Sequence, residues 1–468
     1  SPTSPSPRAA LAGLALAMLL SSLGTSVANV TLPTLERDLG ASFGQVQWVV
    51  LAYLLAVTTL VVGAGRLGDL VGRRRLLAGG IATFALGSAL CAAAPTLWAL
   101  VAARAVQGLG AASMMALTLA FVADAVPAAR TGSAMGLLGS TSAIGTALGP
   151  SLGGVLTAGP GWRAAFLLNV PLALVALRLV QRHLPADGAA PAGRRRIDLA
   201  GTLLLAVALG AYALAMTAGS GGTGALSAGL VLVALAAAAL FARAERRSAD
   251  PLVGAAMLRA PGLATGLATS ALVSTVMMAT LVVGPFHLAR ALGLGPALVG
   301  LVMSAGPAVV ALAGVPAGRL ADRAGAARVT RGGLLGMAAG AAGLAVVPVT
   351  AGVPGYVVPI VVLTLGYALV QTANNAAVMG GAPAERRGVT SGLLTLSRNL
   401  GLITGAALMG TIFARAAGTT QPGSAPPGDV AMGMRVTFAV AAALMLGALL
   451  VAGRAGRSAA VAPAALRG

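Results

Sequence analysis

Long apolar segments follow one another along nearly the whole chain, with short polar segments between them. Most are roughly 17 to 25 residues long, the length that an α-helix needs to cross a bilayer. Because lipid offers no hydrogen bonds to the backbone, helices are the expected form. The pattern predicts an all-α polytopic membrane protein with fourteen transmembrane spans. They are expected at 11–30, 46–64, 76–94, 97–122, 132–156, 164–177, 199–218, 225–242, 263–286, 297–317, 332–349, 357–379, 389–413 and 434–452.

A short polar segment after the second span recurs later in the chain. Residues 65–75 read GRLGDLVGRRR, and residues 318–325 read GRLADRAG. The copy predicts two related halves. Eight apolar runs lie between the copies where a six-plus-six repeat would have six, so spans 7 and 8 are interpreted as an inserted pair. The predicted divisions are an N-terminal six-span bundle (1–181), a linker with two extra spans (182–260), a C-terminal six-span bundle (261–453) and a cytoplasmic tail (454–468).

Composition and charge exclude a soluble protein. Hydrophobic residues make up 57% of the 468 residues and charged residues only 9%, against about a quarter in soluble domains. The net charge of +20 arises from 31 arginines without lysine, and these lie in loops, so nucleic acid is not an expected partner. We treat the first apolar run as a retained span, not a cleaved signal peptide. Since Cys91 is the only cysteine, no disulfide forms within the chain.

The arginines are concentrated in every second loop. The alternate loops and their flanks hold only a few arginines, and two more lie inside apolar runs. This bias predicts that both termini are in the cytoplasm and that the arginine-rich side attracts anionic lipid headgroups of the cell membrane. The arginines of the arginine-poor loops and their flanks are Arg37, Arg163, Arg290, Arg415 and Arg435. The arginines inside spans are Arg104 and Arg398.

Span 4 contains a charged residue at membrane depth. An arginine there costs about 2.5–3.5 kcal/mol, so Arg104 indicates a function. Gln107 lies on the same helical face. The alternative is a structural arginine that binds carbonyl oxygens or a nearby polar side chain.

Span 5 contains glycines spaced to let two helices approach closely, together with a proline that bends the helix. On its own, such a pattern usually indicates packing. The residues are Gly145, Gly149, Pro150, Gly153 and Gly154.

The polar segment after span 2 resembles a loop motif of the major facilitator superfamily, Gly-x-Leu-x-Asp-Arg-x-Gly-Arg-Arg. The chain has Leu70 where the motif has arginine. The resemblance implies a cytoplasmic gate, in which Asp69 meets the N-terminus of the span-11 helix, Arg73 pairs with Asp124, and Asp322 is the counterpart in the second half. The matching residues are Gly65, Leu67, Asp69, Gly72, Arg73 and Arg74.

Three further features resemble the fourteen-span drug:proton antiporter branch of that superfamily. Arg104, Gln107 and Gly108 match its span-4 motif, which is associated with substrate or proton coupling; span 5 resembles its antiporter motif; and Arg398 with Asn399 resembles its span 13. The resemblance implies a secondary exporter of small amphipathic compounds, such as drugs or antibiotic-like metabolites. It would work by proton antiport with alternating access, without a cofactor or metal, and as a monomer.

Two other functions are considered. A carrier for a sugar or an amino-acid-like metabolite has the same fold, but the span-5 motif weighs against it. A membrane-embedded enzyme is disfavoured because the sequence has no metal-ligand cluster, phosphate-binding loop or buried carboxylate pair. Without lysine the chain also cannot form an ATP-binding P-loop.

The first span departs from the branch, which carries aspartate where this chain has Gly24. None of the 11 acidic residues lies in the middle of a span. A cavity with two arginines and no carboxylate is unfavourable for a permanent cation, so we predict a neutral, amphipathic or weakly anionic substrate. The candidate contacts, each of which could instead join helices, are Asn29, Tyr53, Arg104, Gln107, Tyr367, Gln371, Asn374, Asn375 and Arg398.

The proton carrier is left open by the sequence. His287 titrates in the useful range, and Asp38 or Asp124 could act from the membrane edge. For each of the three, a structural role is the alternative.

Overall fold

A computed structural model of the chain describes residues 7–125, 131–185, 187, 199–218, 224–247, 261–380, 387–419 and 421–461. Within these ranges every regular element is a helix. The N-terminal part comprises α1 (Pro7–Asp38), α2 (Phe43–Val71), α3 (Arg73–Ala93), α4 (Leu97–Ala125), α5 (Thr131–Ala158), α6 (Trp162–Leu167), α7 (Asn169–His183), α8 (Leu199–Ala218) and α9 (Gly224–Arg247).

The C-terminal part contains eight α-helices in the described ranges and two π-helical segments. The π-helical segments continue the α-helices before them. In order they are α10 (Pro261–Phe286), a π-helix (His287–Ala291), α11 (Pro296–Met303), α12 (Ala305–Ala324), α13 (Ala326–Val346), a 3₁₀ turn (Val349–Ala351), α14 (Gly352–Gly380), α15 (Arg387–Thr404), a second π-helix (Gly405–Met409), α16 (Gly410–Ala416) and α17 (Pro427–Val461).

Twelve described segments are long and apolar enough to cross a bilayer. Two shorter apolar segments, Ile144–Ala158 and Leu203–Ala215, lie within α5 and α8. The predicted all-helical membrane architecture is thus confirmed, but with twelve such segments in place of the fourteen predicted spans.

The two halves pack their helices in the same scheme. In the N-terminal half α1 packs on α5 and α7, while α4 packs on α2 and α3. In the C-terminal half α10 packs on α15 and α17, while α14 packs on α12 and α13. These are equivalent pairs, so the two halves are pseudo-symmetric helix bundles.

The repeated polar segment is mostly helical, which differs from the hinge loop expected from its polarity. α2 continues through 65–71 to Val71 and α12 continues to Ala324, so a single glycine separates each helix from the next. Gly72 has φ 103° and Gly325 has φ 86°, a region that favours glycine. In the second copy the polar side chains of Arg319 and Asp322 are exposed, so they need no loop to reach water.

Glycines bring α1 against α5 and α10 against α15. A Cβ atom at Gly145 would lie 2.6 Å from the carbonyl oxygen of Leu19, and one at Gly401 would collide with the carbonyl oxygen of Ala271. The helices of both pairs therefore touch backbone to backbone. In lipid, such close packing is a main source of helix association.

The inserted pair α8–α9 touches both halves through α8. α8 packs on α2 of the N-terminal half and on the π-helix Gly405–Met409 of the C-terminal half. The hydroxyl of Tyr212 is 3.0 Å from that of Thr404, within hydrogen-bond distance. α9 packs mainly on α8, and its apolar side chains, such as Leu232 and Leu235, are exposed.

We expect Gly401→Val to destabilise the protein because the new side chain has no room beside α10. Overpacking of a core costs about 1–3 kcal/mol, so the apparent Tm in detergent should fall by several degrees. Gly447→Val on α17 is the matched control, because nothing lies within 4 Å of a Cβ atom at Gly447. An equal apparent Tm for Gly401→Val and Gly447→Val would show that Gly401 does not contact α10 closely.

Candidate functional site

A buried arginine lies at the centre of the N-terminal half. Arg104 on α4 is 0% exposed. Its Nε donates to the carbonyl oxygen of Val49 on α2 at 2.8 Å, and one terminal nitrogen, Nη1, donates to Oε1 of Gln107. The other, Nη2, has no hydrogen-bond partner among the described residues. The guanidinium is therefore fixed in position and has one donor nitrogen free.

Two aromatic rings cover the guanidinium of Arg104. Its Cζ lies 4.2 Å from the ring centroid of Tyr53 and 5.8 Å from that of Phe166, within the range of cation–π attraction. The hydroxyl of Tyr53 donates to the carbonyl oxygen of Ser21 on α1 at 2.8 Å. Arg104 thus connects, directly or through Tyr53, four helices of the half: α1, α2, α4 and α6.

Gln107 extends this network to α3. Its Nε2 donates to the hydroxyl of Ser88 at 2.7 Å, and its Oε1 accepts from Arg104. A structural role, in which Arg104 binds a carbonyl oxygen and a nearby polar side chain, therefore accounts for two of its three side-chain nitrogens, Nε and Nη1. The unpartnered Nη2 is the part of the cluster that can donate to an acceptor oxygen on a bound compound.

Gly24 lies against the same cluster. A Cβ atom there would be 3.0 Å from the ring of Phe84 and 3.2 Å from the hydroxyl of Tyr53. These two side chains occupy the space beside α1 at this level. Among the described residues, Glu36 is the one acid with a buried side chain, and it lies at the end of α1, twelve positions from Gly24 in sequence.

Asn29 is the remaining N-terminal candidate, and it is fully buried on α1. Its Nδ2 donates to the carbonyl oxygen of Thr25 at 3.1 Å. Its Oδ1 has no partner among the described residues. It contributes an acceptor, whereas Arg104 contributes a donor.

The other candidates lie together on α14 in the C-terminal half, apart from the Arg104 cluster. Tyr367 and Asn374 are buried, and Nδ2 of Asn374 donates to the carbonyl oxygen of Gly266 on α10 at 2.9 Å. This bond joins two helices. Oε1 of Gln371 and Oδ1 of Asn375 are buried without a described partner, so they can bind a compound or water.

Arg398 is exposed on α15, so it does not share the buried environment of Arg104, and its place in a common cavity stays a prediction. Asn399, its neighbour, is 6% exposed, and its Nδ2 has no described partner. Consecutive residues of a helix point about 100° apart, so one of the pair faces the interior. Charge singled out Arg398 in the sequence, whereas Asn399 is the buried residue of the pair.

Sequence reasoning also missed two serines on α10. Ser270 and Ser274 are buried, and their hydroxyl oxygens have no described partner. Serine is common in membrane helices, so no sequence signal separates these two from others. With Asn399 and the α14 residues they form the polar interior of the C-terminal half.

The predicted gate is described only in part. The side chains of Asp69 and Asp124 lie outside the described part of the structure, so their pairing with α13 and with Arg73 stays a prediction. Asp322 is exposed near the end of α12.

An acid that was not a candidate, Asp187, accepts from the backbone N–H groups of Arg74 at 2.8 Å and Arg75 at 3.0 Å. This carboxylate satisfies the first N–H groups of α3 beside the turn at Gly72. It lies in the linker, where no sequence pattern pointed to a helix end.

At the opposite, arginine-poor end, side chains from both halves meet in a contact that we call the seam. Phe43 of α2 packs edge-on against Phe286 of α10 (centroids 4.9 Å apart) and Phe413 of α16 (5.5 Å). Nε2 of Gln47 donates to the carbonyl oxygen of Ala406 at 2.6 Å. The halves are therefore closed against each other at this end.

The glycines of α5 serve two different contacts. Gly145, Gly149 and Gly153 face α1, whereas Gly154 faces α11 of the other half. A Cβ atom at Gly154 would lie 2.5 Å from the carbonyl oxygen of Pro296 and 2.8 Å from Cα of Gly300. Pro150 lies within α5, and its carbonyl oxygen adjoins Gly300. The motif thus connects packing inside one half with closure of the seam.

Comparisons with known proteins agree with this architecture. The Major Facilitator Superfamily matches the chain over residues 14–406 and 266–463. The chain is 33% identical over 413 residues to multidrug resistance protein Stp of Mycobacterium tuberculosis (86% of this chain, 74% of that protein). It is 30% identical over 411 residues to the methylenomycin A resistance protein of Streptomyces coelicolor (86% of this chain, 85% of that protein).

A solved structure shares the fold. It is a bacterial homolog of the human lysosomal transporter Spinster in an inward-facing, unoccupied conformation, with a TM-score of 0.72, 16% identity and coverage of 97% of this chain and 98% of that chain. The predicted family is confirmed, and the chain is a transporter, not an enzyme. On this evidence the chain belongs to the Major Facilitator Superfamily.

Proposed function

We propose that this transporter is a secondary active exporter of small amphipathic compounds, driven by proton influx. The observation that carries the proposal is the buried guanidinium of Arg104, held by Val49 and Gln107 with Nη2 unpartnered. An unpartnered guanidinium nitrogen at membrane depth gives a bound compound a hydrogen-bond donor. The names of two relatives, both resistance proteins, support export.

Alternating access is the proposed mechanism. The seam at Phe43 and Gln47 closes the arginine-poor end, so the described conformation can open only at the arginine-rich end. By the positive-inside bias that end is cytoplasmic, with both termini on the same side. Substrate would enter there and leave after the halves rock and the seam separates.

The cytoplasmic gate of the proposal is the repeated segment around Gly72 and Gly325. When the seam opens, the arginine-rich end must close, and the gating residues inferred from the family motif would hold it. Asp187 already binds the N-terminus of α3 at this level, which gives the turn a fixed position. The gating set is Gly65, Asp69, Gly72, Arg73, Asp124 and Asp322.

A neutral or weakly anionic substrate fits the described interior best. Arg104 supplies a positive charge and a free donor, and no described acid near it is buried. Bringing a permanent cation to this point would require an uncompensated charge in low dielectric. On the other half, Gln371, Asn375 and Asn399 add polar groups of both signs without net charge.

The fourteen-span branch remains part of the proposal. α5 has 28 residues and α8 has 20, so each is long enough to cross the hydrocarbon core. Counting both as spans adds two to the twelve apolar segments and keeps the arginine-rich loops on one side. α8 and α9 would then be the inserted pair between bundles 1–181 and 261–453. A single copy carries both halves of the interior, so a monomer is sufficient.

Growth inhibition tests the substrate class and the role of Arg104. In cells expressing the protein, minimum inhibitory concentrations should rise for neutral and weakly anionic amphipathic compounds and stay at the empty-vector level for quaternary ammonium compounds. Arg104→Ala should return the former to the vector level, because it removes the buried donor. Arg178→Ala, an exposed arginine on α7, is the matched control and should keep resistance. Resistance to quaternary ammonium compounds alone, or full resistance with Arg104→Ala, would contradict the proposal.

Proton movement in proteoliposomes tests the coupling of transport to protons. Proteoliposomes holding a pH-sensitive dye should show proton movement when a transported compound is added, in the direction opposite to the compound. Uncoupler should abolish uphill transport but leave downhill exchange. Transport that does not depend on the pH gradient would show that the protein is a facilitator and not a proton antiporter.

A further inference from the structure

Glu36 is a buried acid at the seam whose role the proposed function does not use. It lies in the last turn of α1 and is 4% exposed. Its helix neighbours Arg37 and Asp38 are both exposed. A carboxyl group that faces inward at the meeting of two moving halves is a position where protonation and conformation can be linked.

The carboxyl of Glu36 is bonded from the other half. Its Oε2 accepts from the backbone N–H of Gly423 at 3.0 Å, in the segment between α16 and α17. A Cβ atom at residue 423 would lie 2.6 Å from Oε2, so glycine permits this approach. Oε1 is buried and has no partner among the described residues.

Two basic groups face Glu36, and neither is bonded to it in the described part of the chain. Arg37 comes from its own helix, and its Nε donates to the carbonyl oxygen of Pro33. Arg290 comes from the π-helix, and its Nη2 donates to the carbonyl oxygen of Ala425 at 3.1 Å. The segment 417–426 brings no charged side chain. Both arginines favour the ionised carboxylate, but only through space.

A cleft connects this point to the arginine-poor surface. It has a volume of about 190 Å³ and lies between the halves. Its lining includes Arg37, Arg290, Gly423 and Pro296. Glu36 itself does not line the cleft, but Gly423, which bonds its carboxyl, does, so water in the cleft lies close to this bond.

Burial penalises the ionised form of Glu36 more than the neutral acid. A carboxylate leaving water needs donors for both oxygens or a paired cation, and here one N–H serves one oxygen. When the seam is open, water solvates the carboxylate. Closing the seam therefore costs less free energy once a proton is bound.

We propose that Glu36 is a proton-binding site of the seam, so that closing the arginine-poor end takes up one proton from that side. A proton from the solvent adds to Oε1 of the carboxylate, and Oε2 keeps its hydrogen bond from the N–H of Gly423. Acid therefore favours the closed seam, and reopening returns the proton to the same side. The proposal rests on the proposed alternating access and makes closure of the arginine-poor end depend on the pH of that side.

The test measures the width of the seam against pH by electron–electron double resonance. In a Cys91→Ala background, spin labels replace Ala93 and Ala351, which are exposed at the arginine-poor end of the N- and C-terminal halves. Between about pH 5 and pH 9, a range that brackets a buried glutamate, the short-distance population should fall as pH rises. Glu36→Gln keeps an acceptor for Gly423 and mimics the neutral acid, so it should stay at short distance throughout.

Two further variants make the result specific. Asp429→Asn alters an exposed acid at the same end, six residues from Gly423 in sequence, and should keep the pH response of the unmodified protein. Glu36→Asp retains a titrating group and should keep a response with a smaller closed population. A pH response that persists in Glu36→Gln, or a distance that does not change with pH in the unmodified protein, would overturn the proposal.

Failure of proton antiport is distinguishable from failure of this site. In one outcome, proteoliposomes export substrate without proton movement while the label distance depends on pH in the unmodified protein but not in Glu36→Gln. That result would support the proton-binding site and exclude proton antiport. If export is proton-driven and Glu36→Gln leaves both the distance response and the export unchanged, the coupling residue is elsewhere and the assignment of Glu36 is wrong.

Discussion

Close contact between glycine backbones across the two halves is the constraint on which the described conformation depends. Lipid provides no hydrophobic drive for helix association, so packing and hydrogen bonds must hold the halves together. Gly154 of α5 touches α11 without side chains between them. At the pseudo-equivalent place, Gln47 of α2 lies over Gly410 and bonds the carbonyl oxygen of Ala406. With the Phe43 cluster and the Glu36–Gly423 bond, these contacts close the arginine-poor end.

The buried polar groups of the two halves differ in charge. On the N-terminal side, Arg104 is fixed by Val49 and Gln107 and covered by Tyr53, and it keeps one donor nitrogen free. On the C-terminal side, the unpartnered side-chain groups of Gln371, Asn375 and Asn399 are amides without net charge.

Much of the fold could be predicted from the sequence, because apolar length and arginine bias report directly on the bilayer. The repeat around Gly72 and Gly325 gave the two halves, although the segment before each glycine is helical. The site was predictable only in part. Arg104 stood out because its burial is costly, whereas the facing of Arg398 and Asn399 depends on helix rotation set by packing. Asp187 and Glu36 act on residues far away in sequence, and no local pattern carries such contacts.

The central claim, that the seam must open for transport, is tested most directly by locking it. Cysteines in place of Gln47 and Gly410, whose side-chain and Cα positions adjoin across the seam, would form a disulfide between the halves in a Cys91→Ala background. Oxidised protein in proteoliposomes should not transport, and a reductant should restore transport to the level of the uncrosslinked variant. Unchanged transport by fully crosslinked protein would show that the seam does not need to open.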